Sequence, residues 1–303
     1  MGRSIGRREF LEWTAAAGLC AAVPGCAGTW GGGAGGSRES GSAAEKLGWE
    51  LCAQLYTFRR FPFYEALDSI AALGFRSVEP CFFLPLDGAR PGLTTSEALP
   101  PEVRKELRAK LADRGIEMAN FYADLGAEPE KNRRIFDFAK EMGVRTLVAE
   151  PPPEAFDGIE KLCDEYAIQV AVHNHPKAPG SRYWSPEAVL EVLKGRGPRV
   201  GACTDTGHWV RSGLDPVACL KKMEGRILTL HLKDVAEEGR PEARDVPLGT
   251  GKANYAAVLE ELRRQGFRGV ASIEYEHDSE KLAEEVRQCL EFVEAQAKRL
   301  VAA

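Results

Sequence analysis

The sequence has few histidines, no paired cysteines and no concentration of charge of one sign, and each scarcity excludes something. Its eight cysteines, at positions 20, 26, 52, 81, 163, 203, 219 and 289, form no Cys-x-x-Cys pair, zinc-knuckle spacing or disulfide framework. Those from Cys52 onward therefore read as buried, inert thiols. Lys and Arg number 40 against 45 Asp and Glu, a formal charge of -5, and they are spread without a basic stripe. That argues against a phosphate backbone as partner, and no nucleic acid is expected. No apolar run is long enough for a permanent membrane helix. At 303 residues, with 44% hydrophobic and 28% charged, the chain can bury a large core. The length fits one α/β barrel of about 250 residues preceded by an extension, with two ordinary domains as the alternative.

The extension reads as an address. Arg3, Arg7 and Arg8 precede an apolar run from Trp13 to Val23, as in a signal peptide, here assigned to 1–27. Arg7-Arg8-Glu9-Phe10-Leu11 resembles the twin-arginine export motif, which implies a protein folded before export to the periplasm or cell envelope. Val23-Pro24-Gly25-Cys26 is similar to a lipobox, although Pro24 departs from the usual residue. A lipidated Cys26 would tether the protein to a membrane; ordinary cleavage nearby is the alternative. Residues 28–46 are rich in Gly and Ser and read as a flexible linker, with the folded domain over 47–303.

Within that domain, short apolar runs alternate with amphipathic stretches. Strands are expected near 51–56, 76–80, 116–121, 145–149, 169–173, 199–204, 227–233 and 270–275. Helices are expected near 62–73, 101–114, 129–142, 154–167, 185–195, 215–223, 253–265 and 279–300. Strict alternation implies a parallel sheet, and eight units imply closure into a (β/α)8 TIM barrel. Gly74, Gly115, Gly143 and Gly266 each end a helix just before an apolar strand start, so those links are tight. The opposite links, near 81–100, 174–184 and 234–252, are long and share the C-terminal mouth.

The ends of the later strands carry the chemistry. Strand five ends His173-Asn174-His175, strand six Asp205-Thr206-Gly207-His208, strand seven His231-Leu232-Lys233-Asp234, and strand eight Glu274-Tyr275-Glu276. All five histidines lie there, His277 being the fifth. Mixed imidazole and carboxylate donors from His173, Asp205, His231 and Glu274 suit a divalent cation, Mn or Zn first and Co, Mg or Fe next, better than Ca. Each has a bland alternative: Asp205 as a helix cap, Glu274 as a paired carboxylate, His231 as a histidine satisfied by the backbone. Lys233, two positions after His231, points the same way along its strand and could contact a hydroxyl or a developing oxyanion, or merely pair with Asp234 or Glu274. Glu150, ending strand four, is a candidate ligand or base, or a cap for the loop opened by Pro151-Pro152-Pro153. Glu79, ending strand two, has the same two readings. Gly249 and Gly251 allow either close backbone approach to a ligand or a tight turn.

Asp205-Thr206-Gly207-His208, His231-Leu232-Lys233-Asp234, Pro247-Leu248-Gly249-Thr250-Gly251 and Gly269-Val270-Ala271-Ser272-Ile273-Glu274 resemble the xylose isomerase-like TIM-barrel superfamily of sugar phosphate isomerases and epimerases. The resemblance runs from about Leu51 to Val293. It implies that Asp205, His231 and Glu274 ligate a metal and that His208 contacts substrate. One departure stands out: where the ketose epimerases carry a Glu that ligates and moves a proton, this chain has His173, a poor substitute for one of two opposed bases.

Catalytic roles are therefore expected of Glu150, His175, His208, Lys233 and Glu274, on a small-molecule carbohydrate. The leading reading is a metal-dependent isomerase or epimerase that polarises a carbonyl and stabilises an enediolate. The alternative is β-elimination by a 3-keto-glycoside lyase or hydrolase outside the cytoplasm. A sugar-binding lipoprotein without activity and an endonuclease IV-like phosphodiesterase stand behind these. A homo-oligomer is expected, since barrel enzymes of this type are often dimers or tetramers.

Overall fold

Repeated apolar runs, each followed by an amphipathic stretch, can bury both when the strands close on themselves and the helices coat the outside. The computed structural model, which describes residues 41–303, has this architecture. The strands are β1 (Trp49–Gln54), β2 (Ser77–Glu79), β3 (Glu117–Met118), β4 (Asn120–Tyr122), β5 (Thr146–Ala149), β6 (Gln169–His173), β7 (Val200–Asp205), β8 (Ile227–Leu232), β9 (Asp234–Val235), β10 (Asp245–Val246) and β11 (Gly269–Ile273). Nine of them form a parallel sheet in the order β3-β2-β1-β11-β8-β7-β6-β5-β4. β3 and β4 are halves of one strand parted at Ala119, whose carbonyl accepts from the Arg145 amide at 3.0 Å. With these counted as one, the sheet closes into the expected barrel.

The helices are α1 (Ala43–Leu47), α2 (Phe63–Leu73), α3 (Pro101–Ala112), α4 (Pro129–Met142), α5 (Phe156–Tyr166), α6 (Pro186–Leu193), α7 (Thr206–Arg211), α8 (Pro216–Lys222), α9 (Tyr255–Arg264) and α10 (Leu282–Ala302). Their apolar faces recur every three to four residues; α4, for example, buries Ile135, Phe136, Phe138, Ala139 and Met142. Gly74 and Gly143 end α2 and α4 at φ of 95° and 77°, a left-handed turn that a side chain would strain. Small residues fill the barrel interior, Cys52 with Ala119 and Val270, and Val148 with Ala171 and Cys203. The six described cysteines are all free and buried, as expected.

Three local features differ from the sequence-based expectation. The chain is already helical at Ala43, inside the expected linker, where α1 packs on α10 and the Ala43 amide donates to Glu294 Oε2 at 3.0 Å. A short extra helix, α7, precedes the expected sixth helix, α8, because Asp205 caps a helix at once instead of entering a loop. The 234–252 link contains the β9–β10 antiparallel hairpin. The signal peptide, most of the linker and Cys26 lie outside the described residues.

Candidate active site

The strand ends bring His173, Asp205, His231 and Glu274 to one point, with a ligand atom from each lying within 4.8 Å of the others. All four are buried, Asp205 and His231 completely. Register explains the meeting: Asp205 pairs with His231 across β7 and β8, and His231 with Ser272 across β8 and β11. Asp205 divides its oxygens. Oδ1 accepts from the His208 amide at 2.8 Å and starts α7, while Oδ2 faces the cluster without a hydrogen bond. Both nitrogens of His173, Nδ1 of His231 and Oε2 of Glu274 are likewise buried without one. Buried polar atoms seldom stay unsatisfied, and this set of two imidazoles and two carboxylates fits a divalent cation.

A second layer supports the first. Glu79, wholly buried, takes the Nε2 side of His231 at 2.6 Å, which turns Nδ1 into the cluster. Its other oxygen accepts from Ser272 Oγ at 2.7 Å and Asn120 Nδ2 at 3.1 Å. Burial works against the Glu79 anion, but His231 and these donors overcome it and hold the carboxyl below its usual range. Glu79, a ligand or base or else a loop cap at the level of sequence, is thus the carboxylate that orients a candidate ligand. Glu79→Gln is expected to weaken metal binding about 10- to 100-fold, measured by competition with a chelating dye; unchanged affinity would remove Glu79 from the site.

Lys233 faces the cluster from one side. Its ammonium is fully buried, 3.0 Å from Asp205 Oδ2 and 3.1 Å from Glu274 Oε2, and 2.8 Å from Glu276 Oε1. The first two are ion contacts without hydrogen-bond geometry, so those oxygens remain available; the third is a hydrogen bond. Burial would lower Lys233, yet Asp205, Glu274 and Glu276 raise it well above the ordinary ammonium range. Arg211 Nη1 holds Glu276 at 2.6 Å, and Nη2 holds Asp245 at 2.6 Å. Burial pushes Asp245 up to about 7, Lys233 and Arg211 only partly offsetting it. His208 Nε2 sits 3.2 Å from Lys233 Nζ, and burial pushes that imidazole well below its ordinary range, so it is neutral.

Glu150 stands on the opposite wall. Its Oε1 accepts from Tyr122 at 2.5 Å and meets His175 Nδ1 at 2.8 Å, with His173 Nδ1 farther off at 3.6 Å. Burial alone would raise Glu150, but His173 and His175 hold it far below the carboxylate range. His173 stands between the two groups, its Nε2 3.7 Å from Asp205 Oδ2 and its Nδ1 3.6 Å from Glu150 Oε1, while Glu150 forms a closer carboxylate–imidazole dyad with the half-exposed His175. A cavity of about 250 Å³ opens over the cluster, walled by Tyr56, Phe83, Tyr122 and Gln54.

Other expectations resolve differently. Lys233 pairs with Glu274 but not with Asp234, whose Oδ2 accepts from the Gly249 and Gly251 amides at 3.0 and 2.9 Å. The glycine pair is a turn wrapped on that carboxylate rather than a substrate contact. His277 packs beside Tyr275, outside the cluster. Sequence reasoning missed Glu276, Arg211, Asp245 and Tyr122. Glu276 alone had a signal, two positions after Glu274 and hence on the same side of an extended chain.

The chain matches the xylose isomerase-like TIM barrel family over residues 67–296. MocC, a rhizopine catabolism protein of Rhizobium meliloti, is 33% identical over 128 residues, 38% of each chain. An inosose dehydratase of Geobacillus thermodenitrificans is 26% identical over 227 residues, 59% of this chain and 75% of that one. The chain thus spans well under half of MocC. A solved structure from Parabacteroides distasonis is 35% identical with a TM-score of 0.65, covering 81% of this chain and 98% of the other. The IOLI protein with a bound zinc atom shares the fold at TM-score 0.64 and 16% identity, over 82% of this chain and 98% of that one.

Proposed function

The chain belongs to the xylose isomerase-like TIM-barrel family, and from that footing we propose that it is a metal-dependent carbon–oxygen lyase acting on a keto sugar or keto-cyclitol. In this reading the enzyme removes a proton beside the carbonyl and expels the substituent on the next carbon. The observation that carries it is the asymmetry of the two walls. On one side His175 turns its Nδ1 to Glu150 at 2.8 Å, and with the Nδ1–H tautomer held there Nε2 would serve as a base. On the other stands Lys233, a buried cation that can stabilise an oxyanion as charge develops.

Epimerisation needs bases on both faces of one carbon, and His173 occupies the position of the second carboxylate. Elimination needs one base and one acid. When bound by His173, Asp205, His231 and Glu274, a divalent cation supplies Lewis-acid polarisation of the carbonyl, on the order of several kcal/mol. Tyr122 fixes the Glu150 carboxylate, and Glu79 fixes His231. The inosose dehydratase among the relatives supports an elimination outcome. Isomerisation is the second reading, favoured by Glu274, a carboxylate lining the cavity that could act as the proton carrier. The twin-arginine-like leader supports a working place outside the cytoplasm.

The test is to incubate metal-loaded protein with a keto-cyclitol in heavy water and follow it by NMR. An unsaturated ketone is expected as product. Deuterium entering recovered substrate, with every hydroxyl retained, would replace the lyase reading with the isomerase one.

A further inference from the structure

His175 lines not one cavity but two. Beside it lies a second cavity of about 440 Å³, formed mainly by the loop after β6 and bordered by Glu150. Pro176, Pro179 and Pro241 give it rigid apolar walls, and Ser181 and Arg182 give it a polar side. Ser181 Oγ is buried there without a hydrogen-bond partner. Arg182 packs over the Tyr183 ring at 5.7 Å and has no ion pair among the described residues. A buried orphan hydroxyl and, at the solvent-exposed edge of a proline-walled space, a guanidinium with no carboxylate partner are what a partly apolar anionic ligand would complete. The first cavity lies just below the usual range of ligand pockets, roughly 300–1,000 Å³, and suits one ring. A ligand occupying both must pass beside the dyad.

We propose that the second cavity is a leaving-group subsite, so that the substrate is a keto-glycoside whose leaving alcohol has a compact apolar body and one anionic group. The inference rests on the lyase reading above. For an anomeric oxygen to leave by β-elimination, the carbonyl must sit two carbons from the anomeric carbon. His175 Nε2 takes the proton from the carbon between them. The electrons of that C–H bond form a C=C bond, the anomeric C–O bond breaks, and its electron pair leaves on the alkoxide, which is protonated to the free alcohol. The products are an unsaturated keto sugar and the alcohol, with no change in overall oxidation state.

The experiment uses the metal-loaded full chain and four probes: a keto-cyclitol, phenyl and 4-carboxyphenyl 3-keto-glucosides, and 4-hydroxybenzoate as the free leaving group. The carboxyphenyl substrate is expected to exceed the phenyl one in kcat/KM by roughly 10- to 100-fold, the size of one charge-assisted hydrogen bond. In Arg182→Ala this ratio should fall towards that of the uncatalysed reactions, intrinsic leaving ability being the same in both proteins. 4-Hydroxybenzoate should bind the wild type and bind Arg182→Ala more weakly. A ratio unmoved by the substitution overturns the proposal. Dehydration of the keto-cyclitol, with neither glucoside cleaved and no 4-hydroxybenzoate bound, overturns the subsite and leaves the lyase reading standing. Arg182-dependent binding of 4-hydroxybenzoate with no ketone eliminated sinks the lyase reading, and the leaving-group assignment with it.

Discussion

Asp205→Asn is expected to lose stoichiometric metal on dialysis and to lower turnover about 10²- to 10⁴-fold, the rate equivalent of several kcal/mol of lost Lewis-acid stabilisation. The substitution is selective for a physical reason. Asn caps helices about as well as Asp, so Oδ1 can still accept from the His208 amide and α7 should persist. What disappears is the negative charge at Oδ2, the buried atom that faces His173, His231 and Glu274. Metal analysis by mass spectrometry and circular dichroism separate the two effects. Retained metal with full turnover would show that Asp205 is only a cap, the bland alternative open at the level of sequence.

Lys233→Met should have the largest effect on folding. The methionine can follow much of the lysine stem, but the ammonium that stands among Asp205, Glu274 and Glu276 is gone. Removing one partner from a buried ionic group leaves uncompensated charge, and a cost of about 3–5 kcal/mol is expected in the metal-free protein. Added Mn or Zn should return a good part of it, because a cation bound only by the folded state stabilises that state and takes over the lost neutralisation. Urea titrations with and without metal measure both quantities. If metal-free Lys233→Met unfolds at the wild-type midpoint, Lys233 is not what holds these carboxylates together.

Much of this was legible in the sequence, for reasons that can be named. Parallel strands buried on both faces read as unbroken apolar runs, so a charged residue at the end of one is conspicuous; Asp205, His231 and Glu274 stood out that way. Gly74 and Gly143 marked helix ends because a left-handed C′ position selects glycine. Contacts across the barrel were not legible. Glu79 lies 152 positions from His231, and no local pattern links them. Tyr122 reaches Glu150 because it pairs with Val148 across β4 and β5, two positions before the carboxylate, and that register is not written in either segment alone. That His173 belongs to both groups and Glu150 only to the outer one also needed coordinates, since both end neighbouring strands and a few tenths of a nanometre decide which reaches the central cluster.

The turn Asp205-Thr206-Gly207-His208 behaves as one fitted part. Thr206 Oγ1 donates to the Lys233 carbonyl at 2.9 Å and accepts from the Lys233 amide at 3.2 Å. A Cβ on Gly207 would come within 2.5 Å of Lys233 Cγ, so the glycine is the space in which the lysine stem lies. For the lineage that carries this barrel, drift at Gly207 and drift at Lys233 are therefore not independent events. A larger residue at the first position has to arrive with a shorter one at the second, and the ammonium among the carboxylates is lost in the exchange.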